Sequence, residues 1–182
     1  RLSGVIEILY SEHRYIHSLL DRLEEQALKL KPGKVPDYQL LLESVDYLAH
    51  YPDRYHHPRE DMLFSMLKQD KAMAEYVDRL RQEHVAVHLQ NNRLFAALKA
   101  IVDGAPVDRP ALLRNLQRYV KQYREHISYE SREIFPRARG SLRPEQLEKL
   151  MEKTRFIDDP LFGATISKRY HRLGRDLNFR IA

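Results

Sequence analysis

The chain has 182 residues, a formal net charge of +5 and no cysteine, and 43% of it is hydrophobic against 31% charged. That length and balance describe one globular domain able to bury a core, and no apolar run is long enough to span a bilayer. Without thiols the chain forms no disulfide, thiolate zinc site or iron–sulfur cluster, so any metal must be held by nitrogen and oxygen.

The chain opens at Arg1 without a charged-then-apolar leader, so no signal peptide is expected, and the lack of thiols fits a reducing cytoplasm. From Ile6 the inner positions run Ile6, Leu9, His13, Ile16, Leu20, Leu23, Ala27 and Leu30 in steps of three and four. This is the seam of a bundled helix, with a histidine at a core position. Ser3 is placed to cap its start, and Lys31-Pro32-Gly33 stops it. Asp37 caps a second helix whose seam reads Leu41, Val45, Leu48, Tyr55 or His56, Glu60, Leu63 and Leu67. Pro52 and Pro58 fall inside it, so it is expected to kink or restart near His56. A third helix starts near Asp70, carries Val77, Leu80, His84, Val87, Asn91, Leu94, Leu98 and Ile101 inward, and closes at Asp103-Gly104. Asp108 and Pro110 open a fourth, with the seam Leu112, Leu116, Tyr119, Tyr123, His126, Glu130 and Ile134, and Pro136 and Gly140 end it.

Short connections between four long amphipathic helices predict an all-α fold, an up-down-up-down four-helix bundle over residues 1–140. Residues 141–182 read as a C-terminal helical extension packed on or beside the bundle. It comprises a helix over Pro144 to Phe156, a turn-rich link over Ile157 to Gly163 and a basic helix over Thr165 to Asn178. The last stretch carries Lys168, Arg169, Arg172, Arg175 and Arg180 against Asp176. It matches no nucleic-acid-binding motif, so a solvated or internally paired face is expected, with neither nucleic acid nor membrane as partner.

The second and fourth helices each carry a His-x-x-x-Glu pair, His56 with Glu60 and His126 with Glu130. Residues four apart share one helix face, so each pair aims an imidazole and a carboxylate the same way, as a claw for a cation. Each claw is preceded by a Glu-His-x-x-x-His run, Glu12-His13 to His17 and Glu83-His84 to His88. Tyr47-Leu48-x-x-Tyr51 matches Tyr119-Val120-x-x-Tyr123, and Phe64 follows its claw much as Phe135 does, so the chain reads as a duplicated helical hairpin. A buried His or Glu without a partner is costly, and a shared metal pair would satisfy all four seams together. His13, His56, Glu60, His84, His126 and Glu130 are therefore the candidate ligands, enough for two metals with a carboxylate bridging them. Iron leads on ligand type, with zinc, manganese and copper open. His88, and less so His17, lie one step off the seam as additional ligands, partners of ligands or surface residues. His57 and Asp61 are turned about 100° from the claw and are expected behind the ligands or in solvent, and His50 and His171 at the surface.

At these residues the chain resembles the haemerythrin-like family, also called HHE cation-binding domains, over roughly residues 5–138. The resemblance rests on His56-His57-Pro58-Arg59-Glu60-Asp61 with Leu63-Phe64, and on Glu130 followed by Ile134-Phe135-Pro136. It implies a non-haem di-iron centre held by His13, His56, Glu60, His84, His126 and Glu130. The oxygen carriers of that family place His-x-x-x-x-Asp on the last helix, where this chain has Glu130 and then Ser131, and its iron-cluster repair relatives carry a cysteine-containing segment. The resemblance thus points away from oxygen storage and cluster repair. The carriers' His-x-x-x-His pair on the third helix is reproduced by His84 and His88, which favours His88 as an extra ligand. The function implied is that of a di-iron protein binding O2, NO or peroxide as sensor or scavenger. The alternatives are an oxidase or peroxide-consuming enzyme with Tyr51, Tyr55, Tyr123 or Tyr129 as donors, an iron-handling protein, or a metal-free interaction bundle.

Overall fold

The computed structural model describes residues 4–154 and 158–181, with side chains as far as Leu177. Ser3 at the start of the first helix, Phe156 and Ile157 at the junction of the fifth helix and the link, and the Arg180 side chain lie outside the described residues. All regular structure among the described residues is helical. No helix among them is long and apolar enough to cross a membrane.

Helix α1 (Gly4–Leu28) buries Val5, Ile6, Leu9, His13, Ile16, Leu20, Leu23 and Ala27 on one face, as its spacing requires. Gly33 then turns the chain with a φ of 79°. Asp37 caps α2 (Tyr38–Tyr51), its carboxylate accepting from the Leu40 N–H at 3.0 Å. Beyond Tyr51 the helix neither breaks nor restarts. A π-helical turn over Pro52–His56 carries it into α3 (His57–Leu67), with the His57 N–H donating to the Pro52 carbonyl. The wider turn separates the Pro58 ring from the preceding carbonyls, which is how the proline is accommodated without a break.

Asp70 caps α4 (Lys71–Val102), which stops at Gly104 with a φ of 104°. Asp108 caps α5 (Arg109–Tyr129). The helix does not end at Pro136. A second π turn, Glu130–Ile134, leads into α6 (Phe135–Ser141), with the Phe135 N–H donating to the Glu130 carbonyl. Each π turn ends two residues before a proline, Pro58 or Pro136. Helix α7 (Pro144–Lys153) is shorter than expected, because Thr154 turns extended. The basic helix starts late, as a 3-10 turn over Lys168–Tyr170 leading into α8 (His171–Ile181).

Helix α1 packs on α2 and α5, and α4 on α2, α3 and α5. Their apolar faces make two clusters. One gathers Ile16, Leu20, Leu23, Leu41, Leu48, Leu98, Leu116 and Tyr119. The other gathers Ile6, Leu9, Leu63, Phe64, Val77, Leu80, Ile134 and Phe135. Along every long helix the ionisable seam residue falls between them: His13 between Leu9 and Ile16, His84 between Leu80 and Val87. A buried polar layer thus divides the core. The extension completes both halves, α7 adding Leu147 and Leu150 to one and α8 adding Leu173 and Leu177 to the other. Two of the tail's cations are paired internally, Arg169 with Asp46 and Arg172 with Asp37.

Candidate metal centre

The polar layer brings His13 from α1, His56 and Glu60 from the π turn and α3, His84 from α4, and His126 and Glu130 from α5 and the second π turn into contact. Glu60 and Glu130 are fully buried. Glu60 Oε1 lies 3.1 Å from both His13 Nε2 and His56 Nε2, while its Oε2 lies 3.2 Å from His84 Nε2. Glu130 faces the other way round: Oε1 is 3.3 Å from His84 Nε2 and His126 Nε2, and Oε2 is 3.5 Å from His13 Nε2. Each carboxylate therefore spans two groups of imidazoles. His13, His56 and Glu60 present one set of convergent donor atoms, Glu60, His84 and Glu130 a second, and His57, His84 and His126 a third, the atoms of each set lying within 4.8 Å of one another.

These groups fit cations better than they fit one another. His13 Nε2 and His56 Nε2 meet at 3.0 Å, a contact of two ring nitrogens that needs a proton or a cation between them. His57 Nε2, His126 Nε2, Glu60 Oε2 and Glu130 Oε2 are buried without a hydrogen bond. Donor atoms bound to one ion at about 2.1 Å, with angles of about 90–110°, lie about 3.0–3.4 Å apart, close to the separations found. The charge also fits. Two carboxylates out of water cost several kcal/mol each unless compensated, and a divalent cation supplies charge and coordination together. Burial pushes the His56 imidazole down, yet Glu60 and Glu12 on its two sides lift it to about 10. At Glu60 burial pushes the carboxyl up, yet His56, His13 and His84 hold it well below its usual range.

A ring of second partners fixes the imidazoles. His56 Nδ1 donates to Glu12 and His126 Nδ1 to Glu83, each at 2.7 Å, so Nε2 of each faces the centre. His13 Nδ1 shares a 2.7 Å hydrogen bond with Ser131 Oγ, and His84 Nδ1 donates to Asp61 at 3.2 Å. The Phe135 ring stacks on His13 at 5.0 Å and Phe64 on His84 at 5.8 Å. The two hairpins supply these parts in matching order, Glu12-His13 with Glu83-His84, and Glu60-Asp61 with Glu130-Ser131. Arg59 breaks the match, pairing with Glu12 inside the protein, whereas Arg79 pairs with Glu83 at the surface.

His88 stands apart from this layer. Its side chain is half exposed, its Nδ1 donates to Asp53 at 2.8 Å, and its Nε2 accepts from Asn92. His17, half-buried one turn beyond His13, belongs to none of the three sets. His57, expected behind the ligands or in solvent, is buried and does belong to one. Its adjacency to His56 is the sequence signal that marks it. Asp61 is half-buried and does stand behind a candidate ligand, His84. Of the tyrosines, Tyr51 approaches Glu12 at 3.4 Å, Tyr55 packs on Tyr51, Tyr129 lies under Arg79, and Tyr123 buries a hydroxyl without a hydrogen bond. A cavity of about 490 Å³ between α4 and α5 reaches Glu83 and His126, and another of about 340 Å³ reaches Glu12 beside Asp158 and Asp159 of the extension.

No curated protein and no solved structure matches the chain. The family model of the hemerythrin HHE cation-binding domain matches residues 4–138, which include every residue of the three donor sets, and the chain belongs to that family.

Proposed function

We propose that this chain is a non-haem di-iron protein that binds O2, NO or peroxide as a sensor or scavenger. The observation that carries the reading is the placement of Glu60 and Glu130, each with one oxygen towards His13 and the other towards His84. Two carboxylates spanning two imidazole groups suit two adjacent cations better than one, and the absence of sulfur with mixed imidazole and carboxylate donors suits iron. His13, His56, Glu60, His84, His126 and Glu130 are the ligands in this reading, with the helices α1, α2–α3, α4 and α5–α6 as an up-down-up-down bundle and residues 141–182 as its extension. The absence of cysteine suits the reducing cytoplasm.

When bound, such an iron pair supplies electrons and exchangeable coordination to a small oxygen or nitrogen ligand. The chain's own part is to hold it. Glu12 and Glu83 keep Nδ1 protonated and Nε2 free, while Phe64, Phe135 and the two apolar clusters exclude bulk water from the layer. Glu60 and Glu130 have no exposed surface, which favours a small ligand over a large one. The unpaired Tyr123 hydroxyl favours a second reading, in which the centre turns peroxide over with this phenol as hydrogen-bond donor.

Elemental analysis of protein purified without a metal-affinity tag, with optical spectra before and after air or NO is added to the reduced form, tests both readings. About two irons per chain, as the donor sets imply, and a spectrum that responds to O2, NO or peroxide are expected. Little iron after anaerobic loading, or an inert spectrum, would refute the proposal. Catalytic loss of peroxide would favour the second reading over binding alone.

A further inference from the structure

We infer that His57, and not His88, is a third imidazole ligand beside His84 and His126, and that Asp53 and His88 are the residues that position it. This rests on the two-cation reading of the centre. The His57 imidazole is buried and its Nε2 has no hydrogen-bond partner, while its Nδ1 donates to Asp53 Oδ1 at 3.0 Å. Its ring stacks on His84 at 4.3 Å and stands edge-on to His126 at 6.3 Å. An imidazole held at Nδ1 by a carboxylate, with a bare Nε2 beside two others, has the arrangement of a ligand oriented from behind.

Helix geometry explains how neighbouring residues serve both sides of one centre. Successive α-helical positions differ by about 100°, so His56 and His57 diverge while Glu60 projects between them, about 40° from His56. For a single ion His57 would be misdirected. For two ions bridged by Glu60 the divergence is what is required: His56 turns to His13, and His57 to His84 and His126. At the matching place after His126 stands Ile127, so the two positions are unequal, one with three imidazoles and one with two.

His88, the second histidine of the His-x-x-x-His run on α4, acts at one remove. Asp53 Oδ2 accepts from His88 Nδ1 at 2.8 Å and from Asn91 Nδ2 at 3.3 Å, which anchors the carboxylate that holds His57.

Anaerobic Co2+ binding, followed by equilibrium dialysis on the full chain, tests the assignment without any assay of activity. Wild-type protein is expected to bind two ions. His57→Ala should keep one at wild-type affinity and hold the other at least about 10-fold more weakly, and Asp53→Asn should weaken that ion by about 10–100-fold. His88→Ala should keep both, with a smaller loss confined to the same ion. Folding is checked by a thermal melt without metal, and if His57→Ala does not fold, His57→Gln carries the same expectation. A folded His57 variant that binds two ions with wild-type affinities overturns the assignment. So does loss of one ion in His88→Ala but not in His57→Ala. Wild-type protein that binds no cation overturns the two-cation reading and this inference with it, so the two failures are distinguishable.

Discussion

Glu12 and Glu83 occupy matching places, each accepting a 2.7 Å hydrogen bond from Nδ1 of a candidate ligand, yet their surroundings differ. Replacing either by Gln keeps the shape and an acceptor oxygen but removes the charge that makes the imidazole a strong donor to metal. The affinity for the adjoining ion should fall about 10–100-fold in both variants. Stability without metal should separate them. Glu12 is buried and pairs with Arg59, itself only 3% exposed, so Glu12→Gln removes the carboxylate of an ion pair inside the protein. Removing one partner of a buried pair costs about 3–5 kcal/mol, and about 3 is expected because the Gln oxygen still accepts. Glu83 is 30% exposed and its partner Arg79 is 66% exposed, so that pair is hydrated and its loss contributes little to unfolding. Chelator competition reads the affinities and urea unfolding of the metal-free protein reads the stabilities. Equal unfolding midpoints for the two variants would refute the argument that the hairpins differ in how they secure their second partners.

Acid should unfold the metal-free protein through the same carboxylates. The hydrogen bond from His126 holds Glu83 down to about 2, and at Glu12 the His56 and Arg59 charges outweigh the upward push of burial. Folded-state values below the unfolded ones contribute stability that is complete above about 4.5 and is lost as the pH falls towards 2. Urea midpoints from pH 6 to pH 3 should therefore decline, less steeply in Glu83→Gln, and a parallel decline would count against it. The extension makes a different prediction. Leu173 is fully buried against α2, with its N–H donating to Glu43 at 3.0 Å, so Leu173→Ala should cost about 2–5 kcal/mol while the ions bound per folded chain stay unchanged. Loss of an ion in the folded variant would tie α8 to the centre.

Much of this layout was legible in the sequence because helical spacing records a face. The steps of three and four through His13 and His84 place both at the level of the seam, and the structure puts them there between apolar neighbours. Asp37, Asp70 and Asp108 announce three helix starts by the one interaction their short carboxylates make best. His57 was not legible in the same way. A wheel centred on His56 and Glu60 treats the site as a point, whereas the two ions proposed above would admit a residue turned by about 100°. The place of His88 was hidden for the complementary reason. Spacing on α4 sets its direction but not its depth, and Asp53 meets it before it reaches the layer. The π turns were hidden because they are defined by carbonyl partners, although the prolines two residues beyond them are a trace.

That trace explains an irregularity between the hairpins. Phe64 follows Glu60 by four residues and Phe135 follows Glu130 by five, yet both rings stack on the histidine of a facing helix. The π turn over Glu130–Ile134 absorbs the extra residue, so Phe135 returns to the inner face. It also frees a carbonyl that Pro136, lacking an N–H, cannot engage, and the Tyr10 hydroxyl donates to that carbonyl, Ser131 O, at 2.9 Å. Deleting the exposed Arg132 should close the turn to an ordinary α-helix with Phe135 still facing inward. Pro136 would then clash with the carbonyl four residues before it, at about 3 kcal/mol or more. The deletion combined with Pro136→Ala should therefore be more stable than the deletion alone by about that amount, whereas Pro136→Ala in the intact chain should gain little, because the π turn already accommodates the ring. Urea unfolding of the four proteins completes the cycle. If Pro136→Ala stabilises both backgrounds equally, the proline is not what the π turn accommodates, and the five-residue spacing from Glu130 to Phe135 needs another physical cause.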